Sequence, residues 1–190
     1  MTWKQLYSGK RFYSLAPRPE DICIIDIAHA LSMKCRYGGH CKQFYSVAQH
    51  SVLVARHASQ EDCLRALLHD AHEAYSPFGD ITKPDKDAIR QDDVDVRCYI
   101  QRVEDNIDRA VAAKFNLPFP IKNRAIDILD TRILHDEREA IMVPTNEVWG
   151  VPFEPLGVEI QPWKPEIARA KFLDMFDQAS IWHQQYGSAA

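Results

Sequence analysis

Between Val96 and Phe115 the apolar residues Val96, Ile100, Val103, Ile107, Val111 and Phe115 recur at every third or fourth position. At 3.6 residues per turn a helix gathers such positions on one face, whereas a strand sends alternate residues to opposite sides. The same period marks most of the chain. Pro19-Glu20-Asp21 opens a helix with the stripe Ile25, Ala28 and Leu31, and with Ile22 and His29 near that face. After a polar loop from Arg36 to Gln43, Ser46 stands where a cap belongs for a helix carrying Val47, His50 and Val54 along one side. A third helix is expected from about Gln60 to Tyr75, through Leu64, Leu67, Leu68 and Ala71, with Ser76-Pro77-Phe78-Gly79-Asp80 breaking it. A loop with Lys83-Pro84 leads into the long amphipathic segment, which Leu117-Pro118-Phe119-Pro120 stops. Another helix follows from about Ile121 to Met142, and Pro165 suits the first position of a last one running to about Gln184.

Strand signals are confined to Lys4–Tyr13, which alternates around Ser8-Gly9 and reads as a small hairpin. The expected fold is therefore all-α, a bundle of about six or seven helices. A chain of 190 residues is expected to form one domain, with its core over about 20–142 and a C-terminal arm and helix over 143–190. Within that arm, residues 143–163 are proline-rich and hold Trp149 and Trp163, the makings of a lid or a packing arm.

Charge and cysteine usage narrow the function classes. A formal net charge of -4 argues against binding a nucleic-acid polymer, whose phosphates call for surplus Lys and Arg. No apolar run approaches the roughly 20 residues that cross a bilayer, and Met1-Thr2-Trp3-Lys4 does not begin a signal peptide, so a cytoplasmic protein without membrane partners is expected. Cys23, Cys35, Cys41, Cys63 and Cys98 are odd in number and include no Cys-x-x-Cys pair, so they read as reduced thiols filling the core.

The chemistry concentrates in a few His, Asp and Glu residues on otherwise apolar stretches. His50 lies in Val47-Ala48-Gln49-His50-Ser51, His69-Asp70 follows Leu67-Leu68, and Asp130 sits in Ile128-Leu129-Asp130-Thr131. On a continuous helix Glu73 would share a side with His69 and Asp70. Taken singly, each has an ordinary role: a hydrogen-bonded core histidine, Asp70 paired with Arg65 or Arg90, Asp130 paired with Arg124 or Arg132. Together they are costly on core-facing stripes unless a cation joins them. Two imidazoles and two carboxylates form a mixed nitrogen and oxygen set suited to one divalent transition ion, Mn, Co, Zn, Fe or Ni, with positions left for water and substrate. A second, substrate-bound divalent ion is compatible with the same set.

The order His50, His69-Asp70, Asp130 resembles that of the HD-domain metal-dependent phosphohydrolases. The likeness extends to Phe44-Tyr45-Ser46-Val47-Ala48-Gln49-His50-Ser51 and Leu68-His69-Asp70-Ala71-His72-Glu73-Ala74, and covers roughly residues 20 to 142. Among these enzymes the chain is most similar to bacterial 5′-deoxynucleotidases and phage dATP triphosphohydrolases. That resemblance implies metal ligation by His50, His69, Asp70 and Asp130. It also implies catalytic roles for Glu73 and, past the insertion Ser76-Pro77-Phe78, for Asp80, on the nucleophilic water and the leaving oxygen. Arg36-Tyr37 is similar to the Arg-aromatic pair that precedes the first metal histidine there, which implies Arg36 on phosphate and Tyr37 against sugar or base. His72 and Lys83 are further candidates for balancing phosphate charge.

The expected activity is hydrolysis of a small nucleotide, a deoxynucleoside mono- or triphosphate, by a homo-oligomeric enzyme. Two rivals stand beside it. A cyclic-nucleotide or alarmone hydrolase of the two-metal type needs extra histidines, for which His72 and His40 are the candidates. A non-catalytic module that senses a nucleotide has no use for a water activator such as Glu73. A zincin protease is excluded, since Ala74-Tyr75-Ser76 after His72-Glu73 lacks the second histidine of that motif.

Overall fold

The computed structural model describes residues 2–186. Among them a two-stranded antiparallel hairpin, β1 (Lys4–Gln5) and β2 (Arg11–Phe12), pairs Lys4 with Phe12. Seven α-helices follow: α1 (Ile24–Met33), α2 (Val47–His57), α3 (Cys63–Leu68), α4 (Lys83–Asp92), α5 (Val94–Phe115), α6 (Arg124–Ile141) and α7 (Pro165–Tyr186). The all-α bundle and its small hairpin are thus as the sequence periods predict.

Helix starts follow local chemistry. Ser46 accepts from Gln49 N–H at the head of α2, Asp93 from Asp95 and Val96 N–H at α5, and Asn123 from Ile126 N–H at α6. Each cap satisfies donors that the first turn leaves free. At its far end α5 closes on Asn116, in the left-handed region at φ 54°.

The bundle is organised around α2. Every residue from Val47 to Ala55 is buried, and the helix touches α1, α3, α6 and α7. A helix covered on all sides can carry polar residues only where partners await them. Gln49 meets this condition by donating to Gln161 O and accepting from Trp163 N–H, and Ser51 by donating to Val47 O. The Gln49 bonds hold down the proline-rich segment, and Asp136 on α6 holds it further by accepting from the N–H groups of Leu156, Gly157 and Val158. Residues 143–163 therefore act as a packing arm against α2 and α6.

Three expectations need correction. The helix expected over 60–75 stops at Leu68, and Ala71–Ala74 forms a separate 3-10 turn. The reason is local: His69 Nδ1 takes the Ala66 carbonyl at 2.7 Å, and Asp70 leaves the helical region at φ −106°, ψ 15°. Lys83-Pro84 is the first turn of α4, capped by Thr82, and no loop. The cysteines are free as expected, yet Cys98 is exposed, the other four are only half-buried, and of these Cys41 and Cys63 pack against the core.

Candidate metal centre

Helix α2 delivers His50, the end of α3 delivers His69 and Asp70, and the middle of α6 delivers Asp130. His50, His69 and Asp130 each place a donor atom within 4.8 Å of the other two. Asp130 Oδ1 lies 3.0 Å from His50 Nε2 and 3.8 Å from His69 Nε2. Asp70 Oδ2 lies 3.1 Å from His69 Nε2 and 3.7 Å from His50 Nε2. All four residues expected to share a metal therefore converge, with three of them forming the tightest group.

Hydrogen bonding on the far side of each ring sets the available nitrogen. His50 Nδ1 faces Glu137 Oε1 at 2.7 Å, and His69 Nδ1 faces Ala66 O at 2.7 Å. An ionised carboxylate and a carbonyl only accept, so both Nδ1 atoms are donors. Both Nε2 atoms are left buried without a hydrogen bond, although the carboxylate oxygens stand near. A pair of sealed imidazole lone pairs aimed at two carboxylates fits a divalent cation.

The electrostatics agree. Burial opposes charge on His69, yet Asp70 and Asp130 outweigh it and hold the imidazole up at about 10. Burial likewise opposes ionisation of Asp70 and Asp130, and the imidazoles keep both well below the carboxylate range. In the metal-free centre a proton thus fills the place of a cation. Two consequences follow. A saturating divalent ion should raise the melting temperature, by about 2.7 kcal/mol of stability at a hundredfold excess over Kd. That gain should grow from about pH 6 to about pH 8, because the ion must displace the His69 proton and this becomes easier with each step in pH up to about 10. Melting curves with and without chelator at both pH values check this; a pH-independent gain would place the ion elsewhere.

The centre opens on one side only. His50 and His69 side chains are fully covered, whereas Asp70 and Asp130 are 15% and 21% exposed. Lys122, just before α6 and 34% exposed, donates to Asp130 Oδ2. Sequence reading missed this lysine and gave Asp130 the arginines Arg124 or Arg132; Arg132 in fact holds the arm at Glu154 O and Pro155 O. The surface hollows between α1 and α7, and between residues 15–19 and α5, contain none of these groups.

Glu73 is buried on the 3-10 turn with Oε2 unpartnered. Burial, then the neighbouring Asp70 and Asp80, push its carboxyl up to about 8. Asp80 is also raised, chiefly by burial. The two expected catalytic carboxyls therefore share one electrostatic neighbourhood with Asp70.

The expected substrate contacts are placed differently. Arg36 is buried, with Nη2 3.2 Å from Glu137 Oε2 and Nη1 3.8 Å from Asp70 Oδ2. The Tyr37 hydroxyl donates to the same Glu137 oxygen. Both side chains thus balance charge inside the centre, with Arg36 Nε left buried and without a partner, and the expected contacts of Arg36 with phosphate and Tyr37 with a base remain a proposal. His72 faces Asp108 on α5 at 3.3 Å; burial opposes its charge, but Asp108 holds it up at about 9. His40 is exposed, and neither histidine is among the residues whose donor atoms gather at the centre. Lys83 is exposed at the head of α4.

The residue that sequence reading missed outright is Glu137. A signal for it existed: it continues the stripe Ile126, Asp130, Ile133, Ile141 at steps of three and four.

No protein-family model matches the chain. It is 34% identical over 184 residues to the uncharacterized protein YfdR of Escherichia coli (strain K12), across 95% of this chain and 97% of that one. It is 35% identical over 189 residues to an uncharacterized protein of Rhodobacter capsulatus, across 90% of this chain and 91% of the relative.

Proposed function

This chain belongs to the family of the Escherichia coli protein YfdR, and from the geometry of its candidate metal centre we propose that it is a metal-dependent phosphohydrolase of the HD type acting on nucleotides. The observation that carries this reading is the pair of sealed, unpartnered Nε2 atoms facing two carboxylates that keep a small exposed edge, with a buried carboxyl of Glu73 close by. The resemblance of the His50, His69-Asp70, Asp130 order to HD phosphohydrolases supports it and narrows the substrate to deoxynucleoside mono- or triphosphates.

A divalent cation held there supplies acidification of water and neutralisation of phosphate charge. The protein's own groups do the rest. His50 and His69 fix the inner wall, while Asp70 and Asp130 leave the outer side free for a phosphoryl group. Glu73, in its ionised form, takes the proton of the attacking water as its oxygen bonds to phosphorus. The bond from phosphorus to the leaving oxygen breaks, and Asp80 returns a proton to that oxygen. Lys122 is the solvent-reaching cation beside the ligands and faces the incoming phosphate.

The deciding experiment is a panel of nucleoside mono- and triphosphates with Mn, Co, Zn and Mg, scored separately for phosphate, pyrophosphate and triphosphate release. Chelator-reversible release from a nucleotide is expected; a metal-loaded protein inert on the whole panel overturns the reading. Lys122→Ala should raise KM for nucleotides about 10- to 100-fold, the range for losing a charged hydrogen bond, without weakening the metal. An unchanged KM would confine Lys122 to neutralising Asp130.

A further inference from the structure

Glu137 has no solvent exposure and lies among aromatic and basic side chains. Its Oε1 accepts from His50 Nδ1 at 2.7 Å and from the Tyr45 hydroxyl at 2.9 Å. Its Oε2 accepts from Arg36 Nη2 at 3.2 Å and from the Tyr37 hydroxyl. Four donors thus converge on one carboxylate, as many as its lone pairs accept. So complete a set is what a buried charge requires, since removing a carboxylate from water without partners is prohibitive.

The donors come from two places. His50 and Tyr45 belong to α2 and its approach, while Arg36 and Tyr37 form a turn in which Tyr37, Gly38 and Gly39 all have positive φ, of 55°, 59° and 85°. Glycine adopts that region freely, but a tyrosine there is strained by about 1–2 kcal/mol. The Tyr37 hydroxyl bond to Glu137 is what the strained backbone achieves. Glu137 itself lies two turns beyond Asp130 on α6. One helix face therefore carries both a ligand and the carboxylate behind the ring of another ligand, and Arg36 links that carboxylate to Asp70 as well.

We propose that Glu137 is a positioning residue of the metal centre: it holds His50 as the Nδ1–H tautomer with Nε2 toward the ion, and through Arg36 and Tyr37 it fastens the 36–39 turn to the ligand set. This rests on the metal-centre part of the preceding reading and is independent of phosphate chemistry. A carboxylate behind a ligating imidazole fixes ring orientation and raises ligand basicity, and losing one typically costs 10- to 100-fold in metal affinity. In a Glu137→Gln variant the new side chain has nearly the same shape but opposite hydrogen-bonding logic. Arg36 and Tyr37 are donors and keep the amide oxygen, so the amide nitrogen turns to His50 Nδ1. A donor there makes Nδ1 the acceptor and places hydrogen on Nε2, pointing at the ion's position.

The test measures zinc affinity by competition with a chromophoric chelator, alongside the melting temperature of the chelated protein. Glu137→Gln should bind zinc at least 10- to 100-fold more weakly than wild type. Tyr45→Phe removes one bond to the same Oε1 but keeps the acceptor and its charge, so it should lower the melting temperature and leave zinc affinity within about threefold, since the tautomer is untouched. A folded Glu137→Gln protein with wild-type zinc affinity overturns the proposal, because a merely structural carboxylate would move stability alone. Should that variant not fold, nitrogen-15 spectra of labelled histidines in the zinc-loaded wild type decide. His50 ligated through Nε2 with a proton on Nδ1 sustains the proposal, and ligation through Nδ1 ends it. Wild-type protein that takes up no zinc, cobalt or manganese would remove the centre itself, and this proposal with it. A metal-binding protein inert on nucleotides would leave Glu137's role standing and remove only the phosphohydrolase reading.

Discussion

His69→Ala and Asp130→Ala should each abolish stoichiometric metal binding and reduce turnover to background. These residues lie on opposite sides of the centre, at the end of α3 and in mid-α6, and both belong to the group whose donor atoms fall within 4.8 Å of one another. Removing either breaks up that three-membered group, and three protein ligands are what a catalytic metal site ordinarily keeps. Asp70→Ala is the more informative companion. Its Oδ2 lies within 3.1 Å of one imidazole and 3.7 Å of the other, but it also reaches toward Arg36 at 3.8 Å. If Asp70 ligates, its loss should match the other two; if it only neutralises Arg36, the variant should keep the ion and lose stability. Elemental analysis of the three purified variants, beside melting curves of the chelated forms, separates these outcomes. Stoichiometric metal in His69→Ala and Asp130→Ala alike would mean that the ion is held elsewhere.

How much of this centre was legible in the sequence depends on which physical signal each residue left. Helix α5 announces itself because from Ile100 to Ala112 one face is buried and the other wet, although Val96 at the start of the same stripe is exposed. Helix α2 is covered on all sides, which erases the polar half of the pattern. His50 was recognisable from its order relative to His69-Asp70 and Asp130, a signal carried along the chain. Glu137 continues the buried stripe of α6, but its charged neighbours in His135-Asp136-Glu137-Arg138-Glu139, which resemble a solvated face, mask that signal. Its true environment is made by Arg36, Tyr37, Tyr45 and His50, roughly ninety to a hundred positions away, and no local pattern encodes that. The same holds for Arg36: its type suits a phosphate, but the carboxylates it meets come from other elements. The break after Leu68 is a third case, where a side chain competes for a helix carbonyl and spacing arguments that assume an unbroken helix fail.

Glu73→Gln should keep the metal and lose turnover by about 10²- to 10⁴-fold, the range for removing a general base. It should also change how stability responds to pH, and that second effect needs no substrate. In the folded, metal-free protein burial raises the Glu73 carboxyl from 4.5 to about 8, with Asp70 and Asp80 adding to the rise. Below about pH 4.5 the group is neutral in both folded and unfolded chains, and folding exchanges no proton there. Between those values only the unfolded chain ionises, so the native state's preference for the neutral form costs more with each step in pH. The cost levels off above about 8, where the folded form ionises too. Glutamine mimics the neutral form at every pH. The variant and the wild type, both chelated, should therefore melt together near about pH 4, and the variant should melt higher near about pH 9. A gap that stays constant with pH would mean that Glu73 is solvated and paired, which contradicts its unpartnered, buried Oε2. Lost turnover together with a gap that opens on the alkaline side would identify one carboxyl as both the group that handles the water and a buried charge the fold carries for that purpose.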